Sequence, residues 1–303
     1  MRARLVECVP NVSEGRDEAA IESMAAAVRE VETVGLLDVQ SDPDHHRTVF
    51  TFVGDPDGVA EAVFRLFEAA LPRIDLRIHR GEHPRMGAVD VVPFVPVRGV
   101  TMADCVALAR RVGQEVWSRF GVPVYLYEEA ASRAERRDLA EIRRGEFEGF
   151  PQKIHEAHWE PDFGERALHP TAGVTAIGAR EFLIAFNVNL GTSDVKVAKA
   201  VARAVRGSSG GLRYVKALGL TLDERGIVQV SMNLTNYKQT PVARVLELVR
   251  AEASRYGVPV VGTEVVGLVP EEALFQAAGH YLNLERFSSD LILERRVDSV
   301  FNA

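Results

Sequence analysis

The densest group of chemically capable side chains in this 303-residue chain lies between Arg77 and Gly87. The run Arg-Ile-His-Arg-Gly-Glu-His-Pro-Arg-Met-Gly places two histidines, one glutamate and three arginines close together. An imidazole can accept and return a proton near neutral pH, and neighbouring guanidinium groups can hold carboxylates. The pattern therefore predicts acid–base chemistry on an anionic substrate, with a solvated polar loop as the alternative.

The same run contains the His-x-x-Glu-His pattern of inverted zinc peptidases, at His79, Glu82 and His83. That motif needs a helix, which would project both histidines from one face towards the metal. Gly81 lies inside the pattern and Pro84 directly follows it, and both residues disfavour a stable helix. We therefore expect a loop here and no metal site.

A second polar cluster covers residues 40–47, between two predicted strands. Its carboxylates and imidazoles, Asp42, Asp44, His45 and His46, could be drawn as a metal site, but all of them belong to one short turn. A turn held by hydrogen bonds from the backbone to an Asp side chain is the simpler interpretation.

The elements that must position these clusters alternate between strand and helix. In the first half, apolar and β-branched runs predict strands at 5–12, 34–39, 48–53, 89–97 and 123–127, and periodicity predicts helices at 16–31, 56–71 and 101–120. The order of these elements predicts the split βαβ arrangement of ferredoxin-like folds, extended by one helix and one strand. We expect residues 132–144 to form a solvated helix and residues 150–171 to form a linker.

The second half repeats this alternation and predicts a second α/β domain. Strands are expected at 174–177, 182–190, 215–222, 227–233 and 259–266, and helices at 194–206 and 241–256.

The composition excludes several classes of protein. The 36 basic and 43 acidic side chains give a net charge of −7, which disfavours a non-specific nucleic-acid binder. No run approaches the roughly 20 apolar residues of a membrane helix, and the N-terminus lacks the apolar core of a secretion signal. Two cysteines suit buried thiols in a reducing compartment, so we expect a cytoplasmic protein without nucleic-acid or membrane partners.

Seven segments, taken in order along the chain, resemble one family. They cover residues 6–15, 47–54, 81–90, 123–127, 159–164, 182–190 and 265–270, and the run Gly-Glu-His-Pro-Arg-Met-Gly at 81–87 is the most specific. The family is glutamate formimidoyltransferase, the formiminotransferase part of formiminotransferase-cyclodeaminase.

This resemblance implies an α/β (α+β) fold of two ferredoxin-like subdomains, 1–179 and 180–303, with mixed sheets covered by helices. It also implies a homodimer, tetrahydrofolate as co-substrate without a metal, and a catalytic histidine at His83. The folate-binding stretch of the family falls on Gly164, Glu165, Arg166, Ala167, Leu168, His169, Pro170, Thr171, Ala172 and Gly173. The sequence departs from the vertebrate enzymes near Ala172, where they carry an aromatic residue. Because the sequence ends at Ala303, we expect a separate cyclodeaminase to act on the product.

The implied reaction moves the formimino group of N-formimino-L-glutamate to N5 of tetrahydrofolate. One histidine can take the proton from N5 and then protonate the departing glutamate nitrogen. We assign that role to His83, oriented by Glu82 or a nearby aspartate.

The carboxylates of the substrates need basic and polar contacts. We expect Arg47, Arg85 and Asn11 to contact them, with Arg16 as a weaker candidate and Asn187 and Asn189 as further polar contacts. Two other functions use the same fold, namely formyl transfer between 5-formyltetrahydrofolate and glutamate, and folate binding without catalysis.

Overall fold

The computed structural model describes residues 4–81, 84–222 and 225–301, and for Asp298 it describes the backbone only. Contacts divide the chain into two compact units, Met1–Glu181 and Phe182–Ala303. In the residues described, no helix has the length and apolar character needed to cross a membrane.

The first unit is built on one mixed sheet. Its βαββαβ part consists of β1 Leu5–Cys8, β2 Asn11–Val12, α1 Glu18–Arg29, β3 Val34–Asp42, β4 Arg47–Gly54, α2 Pro56–Ala70 and β5 Val89–Arg98. β3 pairs with β4, and β1 and β2 lie between β4 and β5, antiparallel to both. This strand order confirms the predicted ferredoxin-like arrangement.

The remaining elements of the first unit extend the sheet and cover it. They are α3 Met102–Phe120, β6 Val124–Glu128, α4 Leu139–Arg143, α5 Glu146–Lys153 and β7 Thr175–Ala179. β7 lies between β5 and β6 and is parallel to both, which makes the sheet mixed.

Short polar residues set the helix boundaries. The Asp17 carboxylate accepts hydrogen bonds from the backbone N–H groups of Ala19 and Ala20 and starts α1. The carboxylate of Asp55 caps α2 in the same way. α3 starts with a capping box between Thr101 and Asp104.

The prediction of a linker at 150–171 is wrong. Successive residues of β6 belong alternately to two hydrophobic clusters, and β5 also contributes to both, so each face of the sheet needs a cover. Phe150 and Trp159 are buried in the cluster on the second face. The ammonium group of Lys153 lies 3.8 Å from the centre of the Trp159 ring and donates to the carbonyls of Glu141 and Ile142 at 2.7 Å.

The prediction of a solvated helix at 132–144 is also wrong. The segment forms a 3₁₀ turn at Ala134–Arg137 followed by the short helix α4. Arg136 is only 1% exposed and donates to the Asp162 carboxylate at 2.6 Å, and Ile142 is fully buried. The many charges of this segment suggested solvent, but one of them forms a buried ion pair.

The second unit has a smaller sheet. It consists of β8 Ile184–Leu190, α6 Val195–Val205, β9 Val215–Leu222, β10 Ile227–Leu234, α7 Val242–Ser254 and β11 Val260–Val266. The strand order β11-β8-β10-β9, antiparallel throughout these strands, is again ferredoxin-like. Two further helices, α8 Glu271–Tyr281 and α9 Leu293–Phe301, were not expected from the sequence.

Candidate acid–base site

Three backbone segments of the first unit meet at the ends of its central strands. They are the residues after β2, the turn between β3 and β4, and the residues that lead into β5. The backbone N–H of Ser13 donates to Ala88 O at 2.9 Å, and its hydroxyl donates to Gly87 O at 2.7 Å. The hydroxyl of Thr48 donates to Glu14 O at 2.5 Å. The two polar clusters of the sequence therefore lie side by side.

Two glycines allow this close approach. A Cβ added at Gly15 would clash with the carbonyl oxygen of Asp42, and one at Gly81 would clash with the carbonyl oxygen of His45. Any larger residue at either position would push the segments apart.

The centre of the site is a buried carboxylate with two imidazoles. The Nε2 atom of His79 lies 2.8 Å from Oε2 of Glu14, and the Nδ1 atom of His46 lies 3.4 Å from Oε1. The two rings stack with their centroids 5.0 Å apart. We call Glu14, His46 and His79 the Glu14 cluster.

The Glu14 carboxylate is held by more than the histidines. Burial raises the pKa of Glu14, but the backbone N–H groups of Asp17 and Arg16 donate to Oε1 at 3.0 and 2.8 Å and lower it. Together with His79 and His46, they bring the pKa of Glu14 below its usual value. The group is therefore a carboxylate at neutral pH.

Burial is the main reason that the pKa of His46 is lowered. Glu14 opposes this shift, whereas the positive charges of Arg16, His79 and Arg85 add to it. His46 is therefore a neutral imidazole at pH 7.

The Glu14 cluster offers three possible metal-ligand atoms within 4.8 Å of one another. The Nδ1 atom of His46 already accepts a hydrogen bond from the N–H of Gly15 at 3.0 Å, and the oxygens of Glu14 accept the bonds described above. A cation bound through these atoms would have to break those bonds. The three side chains are therefore engaged in hydrogen bonds in this structure.

The turn at 42–47 has the geometry that the sequence predicted. The Asp42 carboxylate accepts hydrogen bonds from the N–H groups of Asp44 and His45 at 3.0 and 2.9 Å, which confirms the turn. The Nδ1 atom of His45 lies 2.7 Å from Oδ2, the second carboxylate oxygen of Asp42.

Arg85 is buried and its donors are engaged within the protein. Its guanidinium group donates to the Glu148 carboxylate at 2.9 and 3.2 Å, and to the carbonyls of His79 and Leu76 at 3.0 and 3.3 Å. These contacts hold the loop before β5 against α5.

Arg47 differs from Arg85 because it has few partners. Its Nη1 atom donates to the side-chain oxygen of Asn11 at 3.5 Å, and its buried Nε atom has no hydrogen-bond partner among the described residues. Burial lowers the pKa of Arg47, and the charge of Arg143 adds to this, without removing its proton at physiological pH. Arg47 thus carries a charge with free hydrogen-bonding capacity.

The sequence assigned no role to Glu14, Asp90, Arg143 or Glu148, and it indicated His79 only as part of the polar cluster at 77–87. The Asp90 carboxylate accepts hydrogen bonds from the N–H groups of Met86 and Gly87 at 2.7 and 3.1 Å, and from Arg143 at 2.5 and 2.8 Å. Glu14 and Asp90 lie inside segments that resembled the family, and that was the available signal.

The stretch at 164–173 lies beside the loop that precedes β5. Ala88 N donates to Ala172 O at 2.9 Å, and Leu76 N donates to Thr171 O at 2.8 Å. Glu165, Arg166 and Ala167 are exposed, whereas Ala172 and Gly173 are buried. A Cβ on Gly173 would clash with Met86 O, so this glycine is required by packing.

Within this stretch, Gly164, Leu168 and His169 are half-buried and Pro170 is exposed. The Nδ1 atom of His169 accepts a hydrogen bond from Ala172 N at 3.0 Å, and burial lowers the pKa of this histidine.

Glu82 and His83 lie outside the described residues. Residues on either side of them lie at the site. Gly81 packs against the turn of His45 and His46, and the guanidinium group of Arg85 donates to His79 O.

The remaining polar candidates have local partners. The Nε atom of Arg16 donates to Pro43 O at 2.8 Å. In the second unit, Asn189 is buried and accepts from Gln229 at 2.9 Å, and Asn187 donates to Glu264 at 3.4 Å.

Two family profiles match the chain. They are described as the N-terminal subdomain of the formiminotransferase domain, over residues 5–180, and the formiminotransferase domain, over residues 185–302. The chain therefore belongs to the formiminotransferase family, as its sequence motifs predicted.

Full-length relatives agree with the profiles. The glutamate formimidoyltransferase of Thermoplasma acidophilum is 50% identical over 98% of this chain and 99% of its own length. That of Streptococcus pyogenes serotype M1 is 48% identical over 94% of this chain and 95% of its own length. The formimidoyltransferase-cyclodeaminase of Sus scrofa is 46% identical over 93% of this chain, which spans 53% of that relative.

Proposed function

We propose that this protein transfers the formimino group of N-formimino-L-glutamate to N5 of tetrahydrofolate, forming 5-formiminotetrahydrofolate and L-glutamate. The observation that carries the proposal is the near full-length similarity to two glutamate formimidoyltransferases at about half of all positions.

The reaction needs two proton movements. N5 attacks the amidine carbon and loses its proton as the new C–N bond forms. The bond from that carbon to the glutamate nitrogen then breaks, and this nitrogen gains a proton. We propose that His83 performs both transfers in turn. Its support is the loop sequence together with the placement of Gly81 and Arg85, two residues away on either side, against the Glu14 cluster.

The carboxylates of the substrates need fixed positive charge. We propose that Arg47 binds a carboxylate of formiminoglutamate, with Asn11 beside it, because Arg47 keeps an unpartnered Nε–H in a buried position. Arg85, whose donors are engaged with Glu148 and two carbonyls, then serves mainly to position the loop. Holding the two substrates close together in the reactive orientation supplies much of the rate enhancement.

The proposed place for folate is the stretch at 164–173. Its support is the family resemblance and the hydrogen bonds that join Thr171 and Ala172 to Leu76 and Ala88. These bonds would bring a folate bound there next to the loop of His83.

We also propose that the protein works in the cytoplasm, where its buried and unpaired cysteines stay reduced, and as a homodimer, as the family resemblance implies.

The test is an absorbance assay with purified protein, tetrahydrofolate and formiminoglutamate, with acid added to convert the product to 5,10-methenyltetrahydrofolate. The signal should require both substrates and should fall by about 10²–10⁴ in kcat for His83→Ala. The exposed His155→Ala is the control and should keep normal turnover. Near-normal turnover in His83→Ala would remove His83 from the role. No signal with the wild-type protein, together with formylglutamate formed from 5-formyltetrahydrofolate, would contradict formimino transfer.

A further inference from the structure

The backbone of His46 has a conformation that is uncommon for residues other than glycine. Its φ angle is +51°, in the left-handed region that costs free energy for residues other than glycine. The turn between β3 and β4 maintains this conformation, through the hydrogen bonds to Asp42. The strained backbone places the His46 ring beside His79, in the Glu14 cluster.

The hydrogen bonds of His46 determine which ring nitrogen carries the proton. The N–H of Gly15 donates to Nδ1 at 3.0 Å, so Nδ1 presents its lone pair and carries no hydrogen in the neutral ring. Oε1 of Glu14, at 3.4 Å from Nδ1, therefore receives no hydrogen bond from it. The proton must lie on Nε2, and this N–H has no hydrogen-bond partner among the described residues.

The charges around His46 favour an anion as the missing partner. Arg16, His79 and Arg85 act on it as positive charges and Glu14 as a negative one, and Arg85 is itself paired with Glu148. The buried Nε of Arg47, the next residue, is unpartnered within the described part of the chain and adds a further donor directly after the turn. The imidazole is itself neutral at pH 7, so its Nε2–H can donate a hydrogen bond without adding a charge to the site.

We propose that His46 is a substrate-contacting residue that donates its Nε2–H to a carboxylate oxygen of a bound glutamyl group. This inference rests on the proposed function, because both formiminoglutamate and the tail of folate carry glutamyl carboxylates. The Gly15 N–H and the turn of Asp42 hold the donor in one tautomer and one orientation before the substrate arrives.

Two substitutions distinguish loss of the Nε2–H donor of His46 from disruption of the turn that holds it. His46→Asn keeps an oxygen near the position of Nδ1 to accept from Gly15 and tolerates a left-handed backbone, but it has no donor at the position of Nε2. His46→Gln extends far enough to return an N–H to that position. The neighbouring His45→Asn is the control, since His45 is half-exposed and pairs with Asp42.

The experiment is steady-state kinetics with each substrate varied in turn, together with thermal unfolding of every variant. Loss of one hydrogen bond to a charged group should raise the KM of one substrate about 10–100-fold in His46→Asn, with kcat nearly unchanged. His46→Gln should recover part of this loss, and the control should match the wild type. A raised KM for formiminoglutamate would identify its carboxylate as the acceptor, and a raised KM for tetrahydrofolate would identify the folate tail.

Unchanged KM values for both substrates in a folded His46→Asn would overturn the inference. Equal losses in the Asn and Gln variants would also overturn it, since they would show a structural role. If the wild-type protein transfers no formimino group, the proposed function fails separately. Calorimetric titration of wild type and His46→Asn with formiminoglutamate and with tetrahydrofolate then tests the hydrogen bond alone, and equal affinities would refute it.

Discussion

Glu14 connects parts of the chain that are far apart in sequence. Its carboxylate accepts hydrogen bonds from the N–H groups of Arg16 and Asp17, directly before α1, and contacts His79, 65 residues further along. One buried charge thus joins the start of a helix to the loop that precedes β5. Because the pKa of Glu14 is lowered in the folded protein, the ionised form contributes to stability.

Replacing Glu14 with Gln should reveal this contribution through its pH dependence. The stabilisation is complete above the pKa of an unfolded glutamate, about 4.3, and is lost as pH falls through the lower folded value. We expect Glu14→Gln to cost about 2 kcal/mol at pH 7, typical of hydrogen bonds to a charged group, and progressively less below pH 4. Urea unfolding of both proteins across this range is the measurement, and a difference independent of pH would contradict the assignment.

Arg47 offers a second test at the scale of one residue. Its planar guanidinium group can bind a carboxylate with two parallel bonds, which the single ammonium group of lysine cannot reproduce. We expect Arg47→Lys to lower kcat/KM for formiminoglutamate about tenfold or more, mainly through KM. Arg29→Lys, on the exposed side of α1, is the control. An unchanged KM in a folded Arg47→Lys would exclude this arginine as the anchor.

Among the elements, β5 has the closest connection to the site. Its second residue, Asp90, accepts hydrogen bonds from the loop at Met86 and Gly87 and from Arg143 on α4. The strand therefore organises the loop that carries the proposed catalytic histidine, and it also holds the covering segment on the second face of the sheet.

Asp90→Asn should disturb both functions of this strand. The variant keeps one oxygen for the N–H groups of Met86 and Gly87, although a neutral amide accepts more weakly than a carboxylate. It leaves Arg143, which is only 15% exposed, without its carboxylate. Breaking such a pair costs about 3 kcal/mol or more, and the loosened loop should also lower kcat. Glu61→Gln, which removes an exposed ion pair with Arg65 on α2, should change neither quantity appreciably. Stability and turnover like those of the wild type in Asp90→Asn would show that the loop is held by other contacts.

At the scale of the whole molecule, the two units repeat one topology on different cores. The first unit buries both faces of its sheet, and the second buries one hydrophobic cluster against α6 and α7. Towards the C-terminus many large apolar side chains remain exposed, including Leu293, Val300 and Phe301 on α9, at 66–79%. Exposed apolar surface of this extent is typical of an interaction site.

We expect this surface to form the contact between the two subunits of the proposed homodimer. Light scattering on the wild-type protein after size-exclusion chromatography should give a mass near twice 33.3 kDa. The double variant Leu293→Lys, Val300→Lys should dissociate towards the monomer, because charges at a buried apolar contact are unfavourable. Leu37→Lys, at an exposed position of β3, should remain dimeric. A monomeric wild-type protein would refute the dimer, and a dimeric double variant would place the interface elsewhere.

Local signals in the sequence were enough to define most of the elements. Apolar periodicity and the turn at Asp42 depend on residues within a few positions of one another. The helix predicted at 56–71 and the turn held by Asp42 therefore agree with the structure. The family was recognisable for a related reason, because the run at 81–87 is contiguous.

Only the tertiary structure decided the cover of the second face of the sheet and the composition of the Glu14 cluster. Residues 132–144 and 150–171 look like a solvated helix and a linker until the apolar face of β5 and β6 is present to bury Ile142, Phe150 and Trp159. Likewise, no local pattern joins Glu14 to His46 and His79, since their pairing arises from strand register and from two glycines that permit close backbone contact. Long-range pairing determines which carboxylate meets which imidazole, and the spacing of residues along the chain does not encode it.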